Sequence, residues 1–487
     1  GIYMPKTAKT IFHTTEKSNF ILNMKSQDYY RYNLKILLSF FILMPIFSFI
    51  LEFAKVYSVP AMALSITGVF AIVFVLIGFM KSETPKNLFL PAGILGAMLL
   101  WGLVSLYNSY FYHVSIFGSD GRNEGWLSIL FYGSFFLLGS QLGTDANRLK
   151  LLHGMLYMGL AECAWGLLQA LPIGIPSYYQ NLEPLLLLRL FLPSGLTGSP
   201  IFLAILLNML VIPALLGSIF EIKKARKLFY MICSICFIIF AVKTQCVLGV
   251  FGSGLAILSV LIYALVKKAG KQALLRSGIA LFAFLIGIGW IYFSPSINHS
   301  YRHVTGQEVA IANQFALYDG GIIWEDSAYR LAVSGYYIQN GAENPNGSFD
   351  IANIPETYQF ILKSTAKIIK RFPLAGSGCD SLVYPQIYQN PVIASNPNTF
   401  DRCYNYYLHI AGTLGIPMLL LLFILMILVI KNGISACKNS NNWLHVSIFG
   451  AVLFYLILML LGTSSITVAP LFWMLAGVCI NLPKSPR

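Results

Sequence analysis

Long apolar runs broken by short polar connections dominate the chain. The runs are apolar all round, with no alternation of period two, so they predict buried or lipid-facing helices and not strands. A hydrocarbon core of about 30 Å is crossed by about 20 apolar residues in a helix. Twelve such stretches occur, near residues 34–53, 60–80, 87–107, 125–142, 149–170, 200–220, 228–242, 247–266, 276–295, 404–430, 443–462 and 465–482. The stretch at 228–242 is short, and the last contains Pro470. The first lacks a small-residue cleavage site and follows a basic segment, so it is expected to be an uncleaved span. The chain opens on Gly1, and Met24 is an alternative start that keeps Lys25, Arg31 and Lys35.

The connections set an orientation. With the N-terminus cytoplasmic, the inner connections carry Lys223, Lys224, Arg226 and Lys227, then Lys267, Lys268 and Lys271, and the tail carries Lys484 and Arg487. Positive charge therefore recurs on alternate connections, as the positive-inside rule requires. The expected organisation is a cytoplasmic segment at 1–33, nine spans within 34–295, a large extracytoplasmic loop at 296–403, three spans within 404–482, and a cytoplasmic tail at 483–487. The loop is too long to be a mere connector and is expected to be functional. The fold expected is thus an all-α integral membrane protein with about twelve transmembrane helices and a partly helical outer loop. No internal repeat is visible, which disfavours transporters built from duplicated halves.

Composition agrees with this reading. Of 487 residues, 57% are hydrophobic and 11% charged, and mean hydropathy is +0.69. A soluble domain carries roughly 25% charged residues. The net charge of +14 would suggest nucleic acid in a soluble protein. Here the orientation places two thirds of the basic residues in the cytoplasm and leaves the outer face slightly acidic. The excess is an orientation signal facing anionic lipid, and no nucleic-acid partner is expected. A phosphate site on the outer face must then rest on a few local arginines.

Candidate chemistry gathers on that outer face. Gly118-Ser-Asp-Gly-Arg-Asn-Glu-Gly125 opens the fourth span. Arg122 offers a planar fork suited to phosphate, and Glu124 is placed to hold it; the plain alternative is a turn and helix cap. Pro193-Ser-Gly-Leu-Thr-Gly-Ser-Pro200, with Arg189 before it, opens the sixth span as an anion-binding helix start or a simple loop. Residues 357–372 have helical periodicity. Ile361, Leu362, Ile368, Ile369 and Phe372 form one face, and Lys363, Lys367, Lys370 and Arg371 the other. This helix is expected to pack on the loop with its basic face solvated, contact with lipid headgroups being the alternative. Asp401, Arg402, Tyr404, Asn405 and His409 gather where the loop meets the tenth stretch. Inside the membrane, Glu162 is a costly carboxylate and a functional candidate unless a hydroxyl partner neutralises it. Cys233 and Cys236 have CxxC spacing within an apolar run, where packing is the expected role. Cys379 and Cys403 share the large loop, where an oxidising side permits a disulfide.

GRNEG, PSGLTGSPIFLA, PLAGSGCDS and FDRCYNYYLHIAGTLGIP, in that order across residues 90–430, resemble the bacterial O-antigen ligase and O-antigen polymerase superfamily. The resemblance implies a polytopic cell-envelope glycosyltransferase of helical membrane fold. Such an enzyme transfers a glycan from an undecaprenyl-pyrophosphate carrier to a sugar hydroxyl on a glycan or lipid-glycan acceptor. It implies neither metal nor cofactor. Arg122, Arg330 and Arg402 would contact pyrophosphate, with Arg189 and Lys243 as further cations. Asp401, Tyr404 and His409 would lie near the acceptor. Tyr404 stands where the family carries histidine, and tyrosine titrates near 10. His409 is five residues on, about 140° around a helix. Lys243-Thr-Gln-Cys-Val-Leu-Gly249 replaces a Ser-Arg-Gly type of turn, giving a point charge without a fork. A flippase of lipid-linked oligosaccharide and a catalytically divergent family member are the alternatives.

Overall fold

The computed structural model describes residues 24–54, 59–81, 86–109, 111–119, 122–170, 193–244, 246–293, 353–382, 402–403, 405–438 and 442–483. Among these residues the fold is all-helical. The helices are α1 Ser26–Ala54, α2 Val59–Met80, α3 Phe89–Tyr107, α4 Tyr112–Phe117, α5 Trp126–Ser140, α6 Asp145–Ala170, α7 Pro200–Phe220 and α8 Lys224–Lys243. They continue as α9 Val247–Val266, α10 Gly270–Phe293, α11 Asn353–Arg371, α12 Tyr406–Leu414, α13 Ile416–Lys438, α14 Trp443–Leu458 and α15 Ala469–Ile480.

Nine of these helices, α1 to α3, α6 to α10 and α13, are long and apolar enough to cross a membrane. Helices α5, α14 and α15 are apolar but shorter. Two boundaries differ instructively from the hydropathy pattern. The stretch at 228–242 reaches full length because α8 begins at Lys224, with Arg226 and Lys227 in its first turn. Long basic stems reach to the polar zone while their backbone stays helical. The stretch at 404–430 is broken at Gly415, whose φ is +87°. Its first part is the separate helix α12, which packs on α11 rather than continuing the span.

The bundle is built around α7. Every residue from Pro200 to Ile219 is buried, as expected of a helix apolar on all faces. It packs on α6, α8, α9, α10 and α14. Asn208, fully enclosed on α7, donates to the Leu248 carbonyl at 2.7 Å and accepts from the Ser253 hydroxyl at 2.7 Å, stapling α9. Helices α5 and α15 approach more closely than any other side chain allows. A Cβ on Gly477 would lie 1.9 Å from the Phe136 carbonyl oxygen, and one on Gly139 would lie 2.3 Å from that of Met474. Small residues at such crossings let backbones pack directly where lipid supplies no hydrophobic drive. Outward faces of α1, α2 and α10 remain apolar and exposed, as at Ile42, Phe70 and Phe282.

Polar contacts mark the two ends of the bundle. At one end Asp145 pairs with Arg148 and His445, and Arg148 donates to the Asn481 carbonyl. Tyr29 reaches Gln141 at the same end. Lys81, Glu221 and Lys223 lie at helix ends of the same parity. The opposite end carries the described residues of segments 108–119, 122–125, 193–199, 373–382, 402–405 and 459–468, cross-linked to one another as described below. Successive long helices therefore run alternately between a basic end and a loop end.

Candidate functional site

The loop end is organised around Arg402, which is 1% exposed. Its Nη1 donates to Glu124 Oε2 at 2.7 Å, and its Nη2 lies 3.2 Å from Asp380 Oδ1. Local chain geometry delivers each partner. Glu124 follows a turn in which Arg122 and Asn123 backbone N–H groups donate to the Ser119 carbonyl. Gly118 enters that turn at φ +96°, and a Cβ there would meet the Glu124 nitrogen at 2.2 Å. Asp380 has φ +52°, a left-handed conformation that Asp tolerates better than most residues. It ends the turn that follows α11. That turn is tied to α12 by bonds from the Ser377 and Gly378 N–H groups to the Gly412 and Thr413 carbonyls, at 3.0 and 2.9 Å.

Both carboxylates have further donors. Glu124 Oε1 accepts from the Tyr132 hydroxyl at 2.9 Å and from the Ser464 hydroxyl. Asp380 Oδ2 accepts from the Ser119 N–H at 2.7 Å and its hydroxyl at 2.8 Å. Burial is the main influence on Asp380 and raises its carboxyl above the ordinary range. Arg402 and the Ser119 N–H act against that, and Glu124 adds to it. Cys379 beside it donates toward the Glu124 carbonyl at 3.5 Å, and burial pushes its thiol well up. Cys379 and Cys403 are both buried, and no disulfide joins them.

These groups wall a small cavity of about 50 Å³ together with Tyr406, His409 and apolar side chains of α3, α5, α12, α13 and α15. That volume holds a few waters and is far too small for a sugar ring. A guanidinium buried between two carboxylates cross-links the loops that carry them.

The remaining candidate residues fall in three places. His409, on α12, is 5% exposed and lines the same cavity as Arg402. Arg122 is half-buried, with its guanidinium carbon 5.8 Å from the Phe202 ring centroid at the start of α7. Lys243 ends α8, buried, with its ammonium 5.1 Å from the Trp290 ring of α10, and it does not line the Arg402 cavity. Asp401, Tyr404, Arg330 and Arg189 lie outside the described residues.

Helix α6 supports the second motif. Gln169 Oε1 accepts from the Ser194 and Gly195 N–H groups at 3.0 and 2.9 Å, and Glu162 accepts from the Leu196 N–H. The intramembrane carboxylate thus grips the 193–199 turn. The Thr467 hydroxyl contacts the Thr197 carbonyl, joining that turn to the loop that holds Ser464.

Three site residues were missed by sequence reasoning. Asp380 stands in the sequence only as part of the PLAGSGCDS motif, Ser464 as a connection between spans, and Ser119 as a turn residue. Thr463-Ser-Ser-Ile-Thr467 does interrupt an apolar stretch with four hydroxyls, and that was the available signal. Glu124 was expected to hold Arg122. Instead its two oxygens are engaged by Arg402, Tyr132 and Ser464.

Fold and composition together define an all-helical membrane protein with a buried arginine–carboxylate cluster at one end. Neither a family model nor a curated protein matches the chain.

Proposed function

We infer that the chain is a polytopic glycosyltransferase of the O-antigen ligase/polymerase type in a bacterial cytoplasmic membrane. It crosses twelve times, with both termini cytoplasmic and the loop end outside. The observation that carries this reading is convergence. GRNEG, PSGLTGSP, PLAGSGCD and the DRCYN junction are widely separated in sequence, and their described parts lie at one end of the bundle, three of them joined through Arg402 and PSGLTGSP tied to the loop that holds Ser464.

The donor is a glycan on undecaprenyl pyrophosphate. The acceptor hydroxyl oxygen forms the new bond to the anomeric carbon as the carbon–oxygen bond to pyrophosphate breaks. The leaving group gathers negative charge that preorganised cations stabilise. Arg122, half-buried beside the 193–199 turn, is placed for that role, with Arg189, Arg330 and Lys243 as further cations. Arg402, held between Glu124 and Asp380, positions those two carboxylates. Asp401, Tyr404 and His409 are assigned to the acceptor side, where one of them takes the hydroxyl proton.

A second reading has its own support. Arg402 is already engaged by two acids, and tyrosine occupies position 404, which favours a catalytically divergent member acting as a scaffold. Glycan transfer in membranes separates the readings. Arg122→Ala is expected to lower transfer at unchanged protein level, and Arg402→Ala to lower transfer and abundance together. Full transfer in both variants removes those roles. Liposomes that flip a lipid-linked oligosaccharide without forming a glycosidic bond would mark a transporter instead.

A further inference from the structure

Helix α11 carries four cations at Lys363, Lys367, Lys370 and Arg371, and no acid from Ile361 to Arg371. At 100° per residue the four fall within about 100° of arc. All four are exposed. The opposite face is used: Ile361 and Ile368 are buried with Leu382 and Cys403, and Leu362, Phe372 and Leu408 pack around them. Among the described residues no acid pairs with these four cations, and Arg371 lies 5.4 Å from the Phe372 ring centroid.

The height of this helix is set by hydrogen bonds just beyond its last turn. The Pro373 carbonyl accepts from the Ile416 N–H at 2.8 Å, at the first residue of span α13. The Leu374 carbonyl accepts from the Trp101 indole at 3.1 Å, and the Gly376 carbonyl from the Asn108 side chain at 3.0 Å. Trp101 lies six residues inside α3 from its end at Tyr107, about 9 Å down the helix axis. The α13 helix has 23 residues, about 35 Å, against a hydrocarbon core of about 30 Å. Residues 373 and 374 therefore sit where hydrocarbon gives way to headgroups. Leu374 is 66% exposed at that level, which suits a side chain facing lipid. Tyr107, Phe111 and Tyr112 are exposed nearby in sequence, as in an interfacial aromatic belt. Lys370 and Arg371 lie just before this hydrogen-bonded segment.

We propose that the basic face of α11 binds the phosphate groups of anionic phospholipids in the leaflet at the loop end, with Leu374 seated among the acyl chains. Charge complementarity names the partner: four exposed cations against the single acid of the helix, Glu356, held at headgroup height beside an exposed apolar residue. The sequence pattern alone favoured a solvated face. The anchoring of Pro373 and Leu374 to α13 and α3 is what brings the face to the bilayer. This proposal needs the chain to span a membrane but not to be a transferase, so the two readings fail separately.

The test uses the full chain in phosphatidylcholine nanodiscs with trace spin-labelled phosphatidylglycerol or phosphatidylcholine. The readout is the motionally restricted fraction of each label. The wild type is expected to prefer phosphatidylglycerol. Lys363→Gln/Lys367→Gln/Lys370→Gln/Arg371→Gln changes only exposed side chains, so elution and melting should be unchanged. Association at the α11 site is expected to fall about five-fold per charge removed at low salt. The total preference then drops to what the basic end of the bundle supplies. An unchanged preference in the quadruple variant overturns the proposal. Loss of the wild-type preference to micromolar inorganic pyrophosphate at constant ionic strength also overturns it, because the face would then be a site for soluble phosphate.

Discussion

Arg402→Met is the most informative single perturbation of the loop end. It removes the cation from between Glu124 and Asp380, which are 9% and 5% exposed. Glu124 keeps Tyr132 and Ser464, and Asp380 keeps both Ser119 donors, so the loss is one of charge balance more than of hydrogen-bond count. Breaking a buried pair by deleting one partner costs about 3–5 kcal/mol, and here two acids are stranded. Neutralising all three groups tests that arithmetic. In Arg402→Met/Glu124→Gln/Asp380→Asn the amides still accept from the hydroxyls and no charge is buried. Stability is then expected to return to within about 2 kcal/mol of wild type. The assay is unfolding by SDS titration in mixed micelles, followed by tryptophan fluorescence and by elution volume. A cost below about 1 kcal/mol for Arg402→Met, the range of a surface pair, would refute the reasoning. So would a triple variant as unstable as the single one.

Three further outcomes follow from the same geometry. Asp380 has its folded carboxyl raised by burial, so its contribution to stability is complete below about pH 4 and declines as pH rises through the folded value. Asp380→Asn should therefore gain on wild type in melting temperature between pH 4 and 7, and a gap that stays flat or narrows rejects this. Gly477→Ala places a methyl against the Phe136 carbonyl and should cost about 1–3 kcal/mol. Gly93→Ala meets nothing within 4 Å and should be neutral or stabilising; equal melting shifts would contradict the close α5–α15 approach. Gln169→Ala strands the buried Ser194 and Gly195 N–H groups at about 1–3 kcal/mol each. Hydrogen exchange of residues 193–199 should rise sharply, and Gln169→Glu should also lose protection, because its second oxygen replaces the amide that donates to the Gly195 carbonyl at 3.1 Å.

Helix positions were legible because each apolar stretch has to satisfy its own backbone in lipid, a local requirement written in local sequence. Among the described residues nine of the stretches correspond to helices long and apolar enough to cross a membrane, and three to shorter apolar helices. The disagreements arose where a long basic stem let α8 start early and where Gly415 separated α12 from α13. The amphipathic face of α11 was also legible, since Lys363, Lys367, Lys370 and Arg371 are exposed as their spacing predicted. The polar segments of the loop end were visible as motifs, but their pairings were not.

Glu124 was assigned to its neighbour Arg122, yet its carboxylate meets Arg402, 278 positions away. Asp380 and Ser119 are 261 positions apart, and Ser464 and Glu124 are 340 apart. Hydropathy and charge determined that this chain is helical, that it belongs in a membrane, and which connections carry positive charge. Tertiary structure alone decided which acid neutralises which arginine, and it tied the end of α11 to α13 and α3. The physical reason is that a buried charge is paired by whatever the packed helices bring within hydrogen-bond distance, and no local pattern specifies that distance.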